Sequence, residues 1–110
     1  MYWKCSICNY IWEGDTPPAK CPKCDSPADK YMEMTEESRK TVERARSTNA
    51  LHIELLDIFP RLIDIAQEGI EDELDSRCVT VFKRLRSEVK FLETSIRAEL
   101  EGHMKKGKWG

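Results

Sequence analysis

The chain has 110 residues, near the usual size of one domain, and its 18 Lys/Arg against 20 Asp/Glu leave a formal charge of −2. The balance holds along the chain, with four basic against five acidic residues in 1–34 and fourteen against fifteen in 35–110, so no basic stripe argues for nucleic acid. No apolar run approaches the ~20 residues needed to cross a bilayer, and Met1-Tyr2-Trp3-Lys4-Cys5 lacks the order of a signal peptide, so a cytoplasmic protein without a membrane partner is expected.

Residues 1–34 hold four of the five cysteines, four of the five prolines and five of the nine aromatics. So short a segment leaves too much surface exposed to fold on an apolar core alone, and needs a staple. Cys5 and Cys8 form one CxxC pair, and twelve residues later Cys21 and Cys24 form another, as Cys21-Pro22-Lys23-Cys24. Two intervening residues let a tight turn aim both sulfurs at one point. Two facing turns of this kind make a closed S₄ cage suited to zinc or a single iron. The competing readings are a thioredoxin-type CxxC, which needs a βαβ context missing here, and a disulfide pair, which needs an oxidising compartment.

Alternation of Trp3 with Cys5, and of Tyr10 with Trp12, has strand periodicity, while Gly14-Asp15 marks a turn and Thr16-Pro17-Pro18 a stiff loop. A third short strand is expected at Tyr31-Met32-Glu33-Met34. Tyr2, Trp3, Tyr10, Trp12 and Tyr31 then form an apolar shell over the site, which is also the core of the minidomain.

The series Trp3-x-Cys5-x-x-Cys8-x-Tyr10, Gly14, Pro17-Pro18 and Cys21-Pro22-x-Cys24 resembles the rubredoxin-like domain of rubrerythrins over residues 2 to about 34. The short loop between the pairs matches that type rather than free-standing rubredoxins. The family usually has glycine after the second cysteine of each pair. Here those positions are Asn9 and Asp25, residue types that tolerate φ > 0 better than other non-glycine residues. The resemblance implies an iron centre that carries single electrons, with Cys5, Cys8, Cys21 and Cys24 as ligands and a redox partner protein. Spacing alone leaves zinc open, and a zinc site would only hold the fold. In either case the site is closed and offers no position for substrate, so an electron carrier is expected rather than a catalyst.

From residue 35 onward the sequence reads as helical. Thr35 is the expected N-cap, with Glu36 and Glu37 in the first turn. Apolar residues recur at helical spacing at Leu51, Leu55, Phe59, Leu62 and Ala66. They resume at Leu74, Cys78, Val81, Leu85, Val89, Leu92, Ile96 and Leu100. Pro60 is expected to kink or end the first helix, and Gly69 to close it. Glu71, Asp72, Glu73 and Asp75 suit the start of the next helix, and Lys105, Lys106 and Lys108 its end. This gives arms over about 35–68 and 72–105, each roughly 50 Å long; a three-helix arrangement broken at Pro60 and near Asp75-Ser76 stays open.

The expected architecture is therefore a small metal-bound β domain (1–34), rubredoxin-like with zinc-ribbon-like knuckles, followed by an all-α helical hairpin (35–110). Apolar surface left over on the hairpin predicts a homodimeric bundle. Rubrerythrins carry a di-iron site built on Glu-x-x-His. Here Asn49 and Leu100 stand three residues before His52 and His103, the two histidines, so that chemistry does not carry over. His52 reads as a surface residue with Glu54 and Asp57 on the charged face, and Cys78 as a small core residue.

Overall fold

The computed structural model describes residues 1–110 as a small three-stranded sheet followed by two long helices. Strands β1 (Tyr2–Cys5), β2 (Ile11–Glu13) and β3 (Tyr31–Glu33) are antiparallel in the order β2-β1-β3. Trp3 pairs with Trp12 and Cys5 with Tyr31, so alternation puts these four side chains on one face. A 3₁₀ turn, Ala28–Lys30, leads into β3.

The same alternation corrects part of the expected aromatic shell. Tyr2 is one residue out of phase with Trp3, so it leaves the opposite face of the sheet. There its hydroxyl donates to Glu43 at 2.8 Å, and the Arg39 and Arg46 guanidiniums lie 5.8 and 5.6 Å from its ring centre. The same contact with Tyr2, reinforced by Arg39 and Arg46, holds the Glu43 carboxyl below the usual range. Tyr10 precedes β2 and its side chain is exposed; its backbone carbonyl accepts the Cys5 N–H at 2.9 Å. Trp3, Trp12 and Tyr31 form the shell.

Helix α1 runs Glu36–Asp72 and α2 runs Ser76–Lys105, about 55 and 45 Å long. Thr35 caps α1, its Oγ1 accepting the Ser38 N–H at 3.1 Å. Asp75 caps α2, accepting the Cys78 N–H at 2.8 Å, a bond that holds the Asp75 carboxyl below its ordinary range. The interhelical turn is thus Glu73–Asp75, not Gly69, and α1 continues through Pro60. The chain leaves α1 through Glu73 at φ 48°, so the left-handed position that often holds glycine is taken by glutamate. Pro60 forfeits one helical N–H at a cost of about 3 kcal/mol, and the helix continues through it with Phe59 and Ala66 buried. No helix is long and apolar enough to cross a membrane.

The chain forms two compact units, Met1–Arg46 with Lys106–Gly110, and Ser47–Lys105. In the first, Arg46 Nε donates to the Gly110 carbonyl at 2.8 Å and Val42 is buried. In the second, the buried residues are Asn49, Phe59, Ala66, Val89, Ile96 and Leu100, with Arg86 donating to Gln67 at 2.7 Å. The buried seam is only partly the expected stripe. Phe59, Ala66, Val89, Ile96 and Leu100 face inward, whereas Leu51, Leu55, Leu74, Val81 and Leu92 are exposed. Half-buried His52, Leu56, Ile63 and Phe82 complete the seam instead.

Candidate metal centre

Two turns of the same construction build the site. In the first, the Asn9 N–H donates to the Cys5 carbonyl at 3.0 Å and the Cys5 N–H to the Tyr10 carbonyl at 2.9 Å. In the second, the Asp25 N–H donates to the Cys21 carbonyl at 2.9 Å and the Cys21 N–H to the Ser26 carbonyl at 2.8 Å. Each turn closes through a residue in the left-handed region, Asn9 at φ 67° and Asp25 at φ 60°. These are the two positions where the sequence substitutes polar residues for glycine, and both adopt the conformation that glycine would favour.

The four sulfurs converge, all lying within 4.8 Å of one another. Cys5 Sγ is 3.7 Å from Cys24 Sγ, and Cys8 Sγ is 3.5 Å from Cys21 Sγ. A disulfide needs about 2.05 Å, so these are not bonded pairs. Metal–sulfur bonds of about 2.3 Å in a tetrahedron place sulfurs roughly 3.8 Å apart. The donor set therefore fits one tetrahedral tetrathiolate ion such as zinc or iron. Cys5 and Cys21 are wholly buried, packed with Tyr31 under Trp3 and Trp12, while Cys8 and Cys24 are half-buried.

Crowding makes the thiols titrate together. The Tyr10 N–H favours the Cys8 thiolate, but burial and the three neighbouring sulfurs outweigh it and push this thiol up to about 12. At Cys21, burial opposes charge but is overcome by the Tyr31 hydroxyl, the Cys24 and Lys23 N–H groups and Cys8, which bring the thiol down to about 6. Cys24 is lowered chiefly by the Ser26 hydroxyl, 3.1 Å from its sulfur, and by the Ser26 N–H. A bound cation replaces all these protons, so affinity weakens as pH is lowered. Ser26 was not singled out as a sulfur partner from sequence. The available signal for Ser26 was its place two residues after Cys24, matching Tyr10 after Cys8.

No other group of three or more His, Cys, Asp or Glu side chains converges. His52 is half-buried rather than a surface residue, its ring centre 6.3 Å from that of His103. His103 Nδ1 lies 2.5 Å from Oδ1 of buried Asn49, an interhelical hydrogen bond that requires the proton on Nδ1. Glu54 and Asp57 are exposed. Cys78 is half-buried, and its contact with Asp75, aided by burial, raises its thiol, which suits an inert packing residue.

Residues 3–32 match the family model for the rubrerythrin rubredoxin-like domain. Reverse rubrerythrin-1 of Clostridium acetobutylicum is 43% identical over 35 residues, covering 32% of this chain and 19% of that protein. Rubrerythrin of Clostridium perfringens is 47% identical over 38 residues, covering 34% of this chain and 19% of that protein. The chain thus matches under a fifth of the length of these curated relatives. No solved structure matches. The N-terminal region is a rubredoxin-like domain of the rubrerythrin type, followed by a helical region without Glu-x-x-His.

Proposed function

We propose that this chain is an electron-transfer protein whose Cys5, Cys8, Cys21 and Cys24 hold one iron ion, exchanging single electrons with a redox partner protein. The observation that carries the reading is the coincidence of the closed four-sulfur cage with the rubredoxin-like family match. When bound, iron supplies a one-electron ferrous/ferric couple. The chain's own residues do the rest. Trp3, Trp12 and Tyr31 keep water from Cys5 and Cys21, and the two turns hold all four sulfurs in place, which limits rearrangement. Half-buried Cys8 and Cys24, beside Ile7 at 62% exposure, are the side from which a partner approaches. Cysteines spaced for a metal rather than for disulfides fit a reducing compartment such as the cytoplasm.

Protein isolated from its native host is expected to be red, to hold one iron per chain and to give a reversible one-electron wave. Colourless protein with one zinc per chain overturns the reading in favour of a zinc-stabilised helical scaffold. That alternative draws support from the exposed apolar residues of α1 and α2, including Leu51, Leu55, Ile58, Val81 and Phe91. Under either reading these residues support self-association through the helices. Light scattering is expected to return the mass of a homodimer; a monomer at all accessible concentrations sinks that part of the proposal.

A further inference from the structure

Tyr31 opens β3 directly opposite Cys5, and its side chain packs in the buried cluster with Cys5 and Cys21. It is 7% exposed, and its hydroxyl is buried without a hydrogen-bond partner. Leaving a buried O–H unmatched is costly, and such orphans are exceptional in folded proteins. Phenylalanine would fill the same space without that cost. The hydroxyl therefore calls for an acceptor that strengthens when the site is assembled, and the neighbouring sulfurs are the groups that do so. A thiol is a weak acceptor, whereas a metal-bound thiolate carries negative charge and accepts strongly.

We infer that the Tyr31 hydroxyl donates a hydrogen bond to one of the two buried sulfurs, Cys5 or Cys21, when the four cysteines hold a metal, and that this bond tunes the electron affinity of the site. Cys5 and Cys21 are the candidates because both are buried in the same cluster as the Tyr31 ring. Cys24 already has the Ser26 hydroxyl, and Cys8 the Tyr10 N–H. A proton shared with a ligand sulfur offsets negative charge. It favours the reduced site, which carries one more negative charge than the oxidised one. Tyr31 is thus a positioning and tuning residue, held by the strand pairing that also aligns Cys5.

The redox consequence rests on the iron reading above, but the hydrogen bond needs only a tetrathiolate ion, so the test has two arms. In the full chain loaded with ¹¹³Cd, the Tyr31 hydroxyl proton is expected to exchange slowly with water. It should show scalar coupling to cadmium through sulfur and lie close to the Cys5 or the Cys21 methylene. A freely exchanging, uncoupled hydroxyl overturns the inference, as does proximity to the Cys8 or Cys24 methylene instead. In the iron-loaded chain, Tyr31→Phe is expected to keep the metal stoichiometry. It should shift the oxidised-to-reduced ratio roughly tenfold toward oxidised, a potential about 59 mV more negative. An unchanged potential overturns the tuning role. Coupling to cadmium with no redox wave from iron leaves the bond established and overturns the electron-transfer reading.

Discussion

Stripping the metal with a chelator, or replacing Cys21 by serine, is expected to unfold the N-terminal sheet while most of the helical hairpin stays folded. The reason is the composition of each core. The buried apolar residues of the first compact unit are Tyr2, Cys5, Cys21, Tyr31 and Val42, so two of five are ligands. The strands are only three or four residues long and cannot support themselves as an isolated sheet. Structural zinc in zinc-finger peptides contributes about 10–16 kcal/mol at neutral pH, which sets the scale of what a metal adds to so small a fold. Its loss is decisive for so small a core. The second unit buries Phe59, Ala66, Val89, Ile96 and Leu100 without any ligand among them. Far-ultraviolet dichroism should therefore keep its helical signal, while tryptophan emission shifts to the red as Trp3 and Trp12 meet water. Acidification should give the same result, because protons compete for each sulfur. A sheet that keeps its near-ultraviolet spectrum in metal-free Cys21→Ser protein would show that the aromatic shell alone suffices.

The metal site was legible because its information is local. The sulfurs of Cys5 and Cys8, or of Cys21 and Cys24, are aimed by turns a few residues long, and the residues at Asn9 and Asp25 announce the backbone conformation they adopt. The start of α1 was legible for the same reason, since Thr35 accepts an N–H three residues on, whereas α2 was expected from about 72 and instead starts after its cap at Asp75. What failed depends on packing between distant residues. α1 carries two apolar stripes, one through Leu51 and Leu55 and one through Leu56, Phe59 and Ile63. Periodicity does not say which one meets α2. Asn49 and His103 are brought together across 54 positions, a pairing no local pattern encodes. Tyr2 was misplaced by a single residue of strand phase, which moved it from the metal face to the helix-facing side.

Gly69→Ala is expected to destabilise the hairpin, against the usual direction for such a change. Gly69 lies inside α1, where alanine ordinarily gains about 0.5–1 kcal/mol by restricting the unfolded chain and favouring helix. Here a Cβ would run into the Phe82 ring of α2, meeting its Cγ, Cδ2 and Cε2 atoms. Because Cγ is among them, rotating the ring tip away does not relieve the contact; the whole ring or the helix must move. Overpacking of this kind costs about 1–3 kcal/mol, enough to reverse the gain. For a unit of this size each kcal/mol is worth roughly 4–8 °C in Tm, so the loss is easily read in a thermal melt. The sign is diagnostic when measured as a double-mutant cycle. With Phe82→Ala in the background the obstruction is gone, and adding Gly69→Ala should raise the Tm. If Gly69→Ala stabilises the protein with Phe82 intact, then the two helices do not approach each other here, and Gly69 would have to mark a turn after all. The glycine that looks like a helix terminator in the sequence is, on this account, the place where α1 makes room for α2.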